Sequence, residues 1–102
     1  MTVTLQVAYP LTDGTTFDFD YYLSTHMPLV QEHLGDHITG ATASRSMAGG
    51  PDQPSPFYAV ATISFADGEA LEKALAVAGP VMADIPNFTD CQPQVMIGEV
   101  VA

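Results

Sequence analysis

TFDFDYYLSTHMPLVQEHLG, Thr16 to Gly35, holds the densest mixture of apolar, aromatic and titratable side chains in the chain. It reads as an amphipathic helix with Asp18 as N-cap and Gly35 as its stop. At 3.6 residues per turn, Phe19, Tyr22, Leu23, His26, Val30, His33 and Leu34 share one side, and Asp20, Ser24, Gln31 and Glu32 fall outside it. One histidine, with a tyrosine a turn before it, therefore lies on the face expected to look inward. Pro28 disturbs this pattern. It has no N–H to bond Ser24, and it disfavours the α region at Met27. The expectation is a kink or break at Thr25 to Met27, beside His26.

Outward from this helix, the elements alternate. Upstream, Val3 to Tyr9 has period two, with Val3, Leu5, Val7 and Tyr9 on one face, ending at Pro10 and the Asp13-Gly14 turn pair. Downstream, Ile38 to Met47 reads as a weaker strand, and AGGPDQPSP, Ala48 to Pro56, as a loop. Phe57 to Phe65 is the clearest strand, with Phe57, Ala59, Ala61, Ile63 and Phe65 on one face. Asp67 caps a second helix, with Glu69 in its first turn and Leu71, Ala74, Leu75 and Ala78 as its buried stripe. Gly79-Pro80 interrupts it, and Val81 to Ile85 adds a turn. DIPNFTD, Asp84 to Asp90, reads as a polar connection, and Cys91 to Val101 as the last strand, with Pro93 near its start.

Strand, helix, strand, strand, helix, strand is the split βαβ order of a ferredoxin-like α+β domain spanning residues 1–102. It implies an antiparallel four-stranded sheet with both helices on one face. The opposite face, mixing Gln6, Thr62 and Ser64 with Tyr58, Val60 and Met96, then needs a cover. A second copy of the same sheet is the simplest, so a homodimer is expected.

Composition narrows the function. Net charge is −10, with Lys73 and Arg45 as the only cations. That excludes a phosphate-neutralising surface for nucleic acid and disfavours anionic membranes. The chain is 47 % hydrophobic, which for so small a domain also points to an oligomer. Cys91 stands alone, so no internal disulfide and no cysteine metal cluster can form. No apolar run reaches the ~18 residues of a membrane span. The amino terminus alternates like a strand and lacks a basic leader region, so a cytoplasmic protein is the simplest reading. No G-x-S-x-G elbow, Walker motif or G-x-G-x-x-G turn is present.

Three segments together resemble the EthD family: FDFDYYLSTHMPLV (Phe17 to Val30), the Gly49 to Pro51 Gly-Gly-Pro loop, and DIPNFTDCQPQVMIGEV (Asp84 to Val100). Tyr21, Tyr22, His26 and Pro28 carry the strongest part. The resemblance implies a dimeric α+β barrel, in which two ferredoxin-like protomers pair their sheets and each keeps a pocket between sheet and helices. It also implies an oxidoreductase label, through a protein that accompanies a haem monooxygenase system in fuel-ether degradation. Related barrels include cofactor-free monooxygenases, haem-degrading enzymes and muconolactone-type isomerases that use histidine and tyrosine.

His26 is the first candidate, as a general acid/base in an apolar pocket. The competing reading is a core histidine bonded to the Ser24 carbonyl that Pro28 leaves free. Tyr22, one turn earlier, is its candidate helper, or else a buried aromatic; Tyr21 points to the side and reads as structural. Phe19, Leu23 and Val30 on the same stripe are substrate-binding candidates, with Asn87 and Asp90 second in rank against ordinary turn chemistry. His33 and His37 suit a helix C-terminus, and no metal site is expected from their spacing. Cys91 reads as a small buried hydrophobe and Arg45 as an offset to nearby acids. Redox work would need a cofactor such as haem, or a substrate that itself activates oxygen.

Three readings follow. One is an oxidoreductase acting on an apolar or aromatic compound, alone or with a partner oxygenase. The second is a cofactor-free isomerase, lyase or cyclase using His–Tyr proton transfer. The third is an accessory protein that binds a hydrophobic intermediate.

Overall fold

Two strands with strict period-two patterning form the centre of the sheet in the computed structural model, which describes residues 1–102. β1 (Val3–Pro10) pairs antiparallel with β3 (Phe57–Phe65), with Leu5 opposite Ile63, Val7 opposite Ala61 and Tyr9 opposite Ala59. Side chains alternate across a strand, so this register puts all six on one buried face. A bulge follows Tyr9, where Pro10 has no N–H to give to the ladder. β2 (Gly40–Arg45) and β4 (Gln94–Glu99) flank this pair antiparallel, giving the order β2-β3-β1-β4. The fold is ferredoxin-like α+β.

The edges are shorter than their sequence patterns suggest. β2 keeps only Gly40–Arg45 of the expected Ile38 to Met47 and is exposed throughout. β4 begins at Gln94, immediately after Pro93, and Cys91 is buried ahead of it. DIPNFTD is not a polar connection: Ile85, Phe88 and Thr89 are buried in it. Apolar residues are spaced through the segment between its polar ones, and each finds the core.

Two helical layers cover the buried face. The first holds α1 (Phe19–Tyr21) and α2 (Met27–Leu34), and the second α3 (Gly68–Ala76) and α4 (Gly79–Asp84), followed by a 3₁₀ turn at Ile85–Asn87. Asp67 caps α3 by accepting from the Ala70 N–H. Pro80 stands in the first turn of α4, where a missing N–H costs nothing. Leu71, Ala74 and Ala78 are buried as expected, but Leu75 is 45 % exposed at the layer's margin.

The first layer departs most from its pattern. Asp18 caps α1 through the Tyr21 N–H. A π-helical turn then spans Tyr22–His26, and the Met27 N–H donates to the Tyr22 carbonyl, five residues back. Met27 remains helical at φ −64°, ψ −41°, so Pro28 does not break the chain. The widened turn places Pro28 at the start of α2, where no donor is required. In such a turn each residue advances by a smaller angle than in an α-helix. The inward stripe therefore contracts to Tyr22, His26, Val30 and Leu34, all buried, while Leu23 turns outward at 60 % exposure. His33 is half-buried beside the stripe.

Phe65, fully enclosed under these layers, has no room to be replaced by solvent. Phe65→Ala is expected to cost about 3–5 kcal/mol. Val101→Ala, at an exposed site, should stay within about 0.5 kcal/mol. Urea unfolding of the two variants beside the parent checks both.

Candidate functional site

Between the sheet and both helical layers lies an apolar cavity of about 50 Å³. Leu5, Val7 and Ile63 form its sheet side, and Val30, Leu34 and Ala78 its helical side. Leu75 and Met82 line it while remaining about half exposed, so the cavity reaches the surface between them. Neither Lys73 nor Arg45, the chain's two cations, lines it. Among its lining residues, Tyr9, Tyr22 and His26 carry a hydroxyl or ring nitrogen.

His26 is 3 % exposed. Its Nδ1 lies 2.9 Å from Oδ2 of Asp84, the last residue of α4. The other carboxylate oxygen accepts from the Tyr21 hydroxyl at 2.6 Å and from the Asn87 side-chain amide at 3.0 Å. The Tyr21 hydroxyl, foremost, holds the Asp84 carboxyl below the ordinary value of 3.8, with Asn87 and His26 adding to it against the opposing effect of burial. The same bond raises the Tyr21 phenol pKa, keeping it a donor. Facing an ionised carboxylate, Nδ1 of His26 is the ring nitrogen that carries the proton when the imidazole is neutral; Nε2 is then the acceptor, and it has no hydrogen bond to protein.

Tyr22 stacks on the imidazole, with ring centroids 5.6 Å apart and planes 18° apart. Phe88 packs against both rings, 4.5 Å from the imidazole and 5.1 Å from the Tyr22 ring. Tyr22 is 1 % exposed, and its hydroxyl is sealed from solvent without a hydrogen-bond partner. Burial pushes its pKa up to about 12, so the group keeps its proton and remains a donor. Burial likewise raises Tyr9, with Tyr22 and Cys91 adding to it.

Of the residues singled out from sequence, the fold brings Tyr22, His26 and Val30 together at the cavity. Phe19 is outside it, packed on Phe17 at 4.5 Å and under the Arg45 guanidinium at 4.2 Å, because α1 precedes the wide turn. That contact also gives Arg45 a cation–π partner in place of an acid. Leu23 points to solvent. Asp90 accepts from the Thr16 N–H at 2.8 Å and ties two loops, while Asn87 braces Asp84. His26 is bonded to Asp84 and not to a carbonyl released by Pro28. His33 and His37 do not line the cavity, and Cys91 is buried with the Thr89 hydroxyl donating to its Sγ at 3.2 Å.

Asp84 is the residue the pattern did not single out, and Tyr21, read as structural, bonds it at the site. One signal was present: an acid at the end of a helix stands where the dipole disfavours it, which calls for a specific partner. A haem does not fit the site, since a porphyrin is far larger than the enclosed space.

A family model described as EthD domain matches residues 14–92. Among solved structures, an EthD-like protein of Ralstonia eutropha is 33 % identical with a TM-score of 0.88, over 99 % of this chain and 93 % of that one. An ethyl tert-butyl ether D (EthD) family protein of Bacillus halodurans is 24 % identical with a TM-score of 0.68, over 99 % of this chain and 100 % of that one. SnoaB of Streptomyces nogalater, a cofactor-independent oxygenase, shares the fold at 13 % identity and a TM-score of 0.64, over 98 % and 95 % of the two chains. A search of curated proteins finds no match.

Because the folded Asp84 pKa is depressed, its carboxylate contributes stability that is present above 3.8 and is lost as pH falls through the lower folded value. Tyr21→Phe removes the main cause. The Asp84 titration should move back up toward 3.8, and the acid-unfolding midpoint should move to higher pH. Following the Asp84 carboxyl carbon by NMR across an acid titration checks the first, and circular dichroism the second.

Proposed function

The chain belongs to the EthD family, and from that premise we propose that it is a small-molecule enzyme of oxygenase type, acting on an apolar or aromatic compound without a bound cofactor. The observation that carries the proposal is His26, held by Asp84 with Nε2 unpartnered at an apolar cavity. Nε2 takes an acidic hydrogen from the substrate, and the Asp84 carboxylate stabilises the imidazolium that forms. Tyr22 assists as a neutral donor. The resulting electron-rich anion reacts directly with molecular oxygen. The fold shared with SnoaB, a cofactor-independent oxygenase, supports chemistry of that kind.

A second reading is favoured by the site's inventory. Every polar group around the cavity moves or holds a proton, so the same anion could be reprotonated at another carbon, giving an isomerase. Oxygen uptake separates the two, because only the oxygenase consumes it.

The working unit in this proposal is a homodimer in the cytoplasm. Met96, at 55 % exposure, pairs with Gln6 on the sheet face opposite the helices, and Tyr58, Val60 and Thr62 are only half-buried there. A second copy of that face would cover them. Sedimentation equilibrium should give twice the chain mass.

His26→Ala is expected to lower turnover by about 10²–10⁴-fold while leaving ligand binding within a few-fold of the parent. Single-turnover kinetics beside equilibrium binding checks this. Unchanged turnover, alone or with a partner oxygenase supplied, would leave only the accessory-binding role.

A further inference from the structure

The buried Tyr22 hydroxyl has no protein partner, and its residue lines the cavity together with His26. Leaving a sealed hydroxyl unbonded is unfavourable, and a ligand with a matching acceptor recovers that cost. The two stacked rings thus offer an unusual pair of polar functions in otherwise apolar surroundings. One is a proton donor with no acceptor, on Tyr22. The other is a proton acceptor with no donor, His26 Nε2.

From this pair, and resting on the base role given to His26 above, we infer that the substrate is an uncharged, enolisable carbonyl compound. Its carbonyl oxygen accepts from the Tyr22 hydroxyl. The hydrogen on its α-carbon lies toward Nε2. On deprotonation the α C–H bond breaks, its electron pair becomes the enolate, the charge settles on the oxygen held by Tyr22, and the proton resides on Nε2. No external oxidant or reductant enters this step. A carboxylate is rejected, because neither cation lines the cavity and the chain carries a net charge of −10; its desolvation would go uncompensated.

Raised burial of Tyr22 serves this role. A tyrosine that ionised near neutrality would repel the enolate, whereas one that keeps its proton stabilises it. Leu75 and Met82, half exposed at the cavity's opening, set the apolar path by which such a molecule enters.

The test uses cyclohexanone, its hydrocarbon isostere methylenecyclohexane, and cyclohexanecarboxylate, with the parent protein, Tyr22→Phe and His26→Ala. Binding is read from backbone amide shifts, and proton abstraction from deuterium uptake at the ketone's α-carbon in heavy water. The ratio of ketone to hydrocarbon affinity should fall about tenfold in Tyr22→Phe, the size of one hydrogen bond. Deuterium uptake should slow by about 10²-fold or more in the same variant. A ratio unchanged within about twofold, no binding of either neutral ligand, or carboxylate binding as tight as the ketone's would each overturn the inference, even if His26→Ala abolishes exchange. If the ratio shifts but exchange is absent or indifferent to His26→Ala, carbonyl recognition stands and the base role of His26 fails.

Discussion

The carboxylate of Asp84 joins the two helical layers of the molecule at one point. It sits at the end of α4, yet its strongest partners, Tyr21 and His26, lie in the first layer. One oxygen serves Tyr21 and Asn87 and the other serves His26, so the group is bonded on both sides. In a chain with a net charge of −10, a further half-buried negative charge would ordinarily be unfavourable. Here the Tyr21 hydroxyl is its leading stabiliser, with Asn87 and His26 adding to it. The consequence reaches beyond stability, because the orientation and tautomer of His26 follow from where this carboxylate is placed.

The π-helical turn is the second constraint, and it depends on the first layer's own sequence. Pro28 cannot complete a regular ladder to Ser24, and a turn closed five residues back avoids that demand without unwinding the helix. The widened turn also sets the side chains. Tyr22 and His26 come to stack almost parallel, and Leu23 is released to solvent. A strictly α-helical segment would have spread the stripe across Leu23 as well. Thus the feature that accommodates a proline also narrows the inward face to Tyr22, His26, Val30 and Leu34.

Much of the fold was legible because β1 and β3 obey period two without interruption, and Asp18, Asp67 and Pro80 mark helix starts by mechanisms that need only neighbouring backbone groups. The edge strands were less legible, since nothing in GATASR distinguishes a paired residue from a flanking one. At the site, Tyr22 and His26 could be read because they are one turn apart on a single segment. Asp84 could not be paired with His26 in the same way: 58 positions separate them, and only the packing of α4 beside α2 brings them together. Asn87 and Asp90 show the converse. Both are polar residues near the site, but Asn87 spends its side chain on Asp84 and Asp90 on the Thr16 N–H. Phe19 was misplaced for a reason of geometry, since the π-turn rotates everything before it relative to everything after.

Tyr22 and Asp84 have opposite outcomes, and the difference is in their burial and their partners. Burial without a partner holds Tyr22 protonated, up to about 12; burial offset by hydroxyl and amide donors holds Asp84 ionised. His26 lies between them, against Asp84 on Nδ1 and against the Tyr22 ring on its face. In such surroundings a charge created at the cavity is poorly screened, so it is felt strongly by the few groups able to answer it. A positive charge arising on His26 meets the Asp84 carboxylate, and a negative charge arising on a ligand oxygen meets a hydroxyl that cannot ionise. Charge separation across the cavity is therefore stabilised at both ends, while the apolar walls offer nothing to a ligand that arrives already charged.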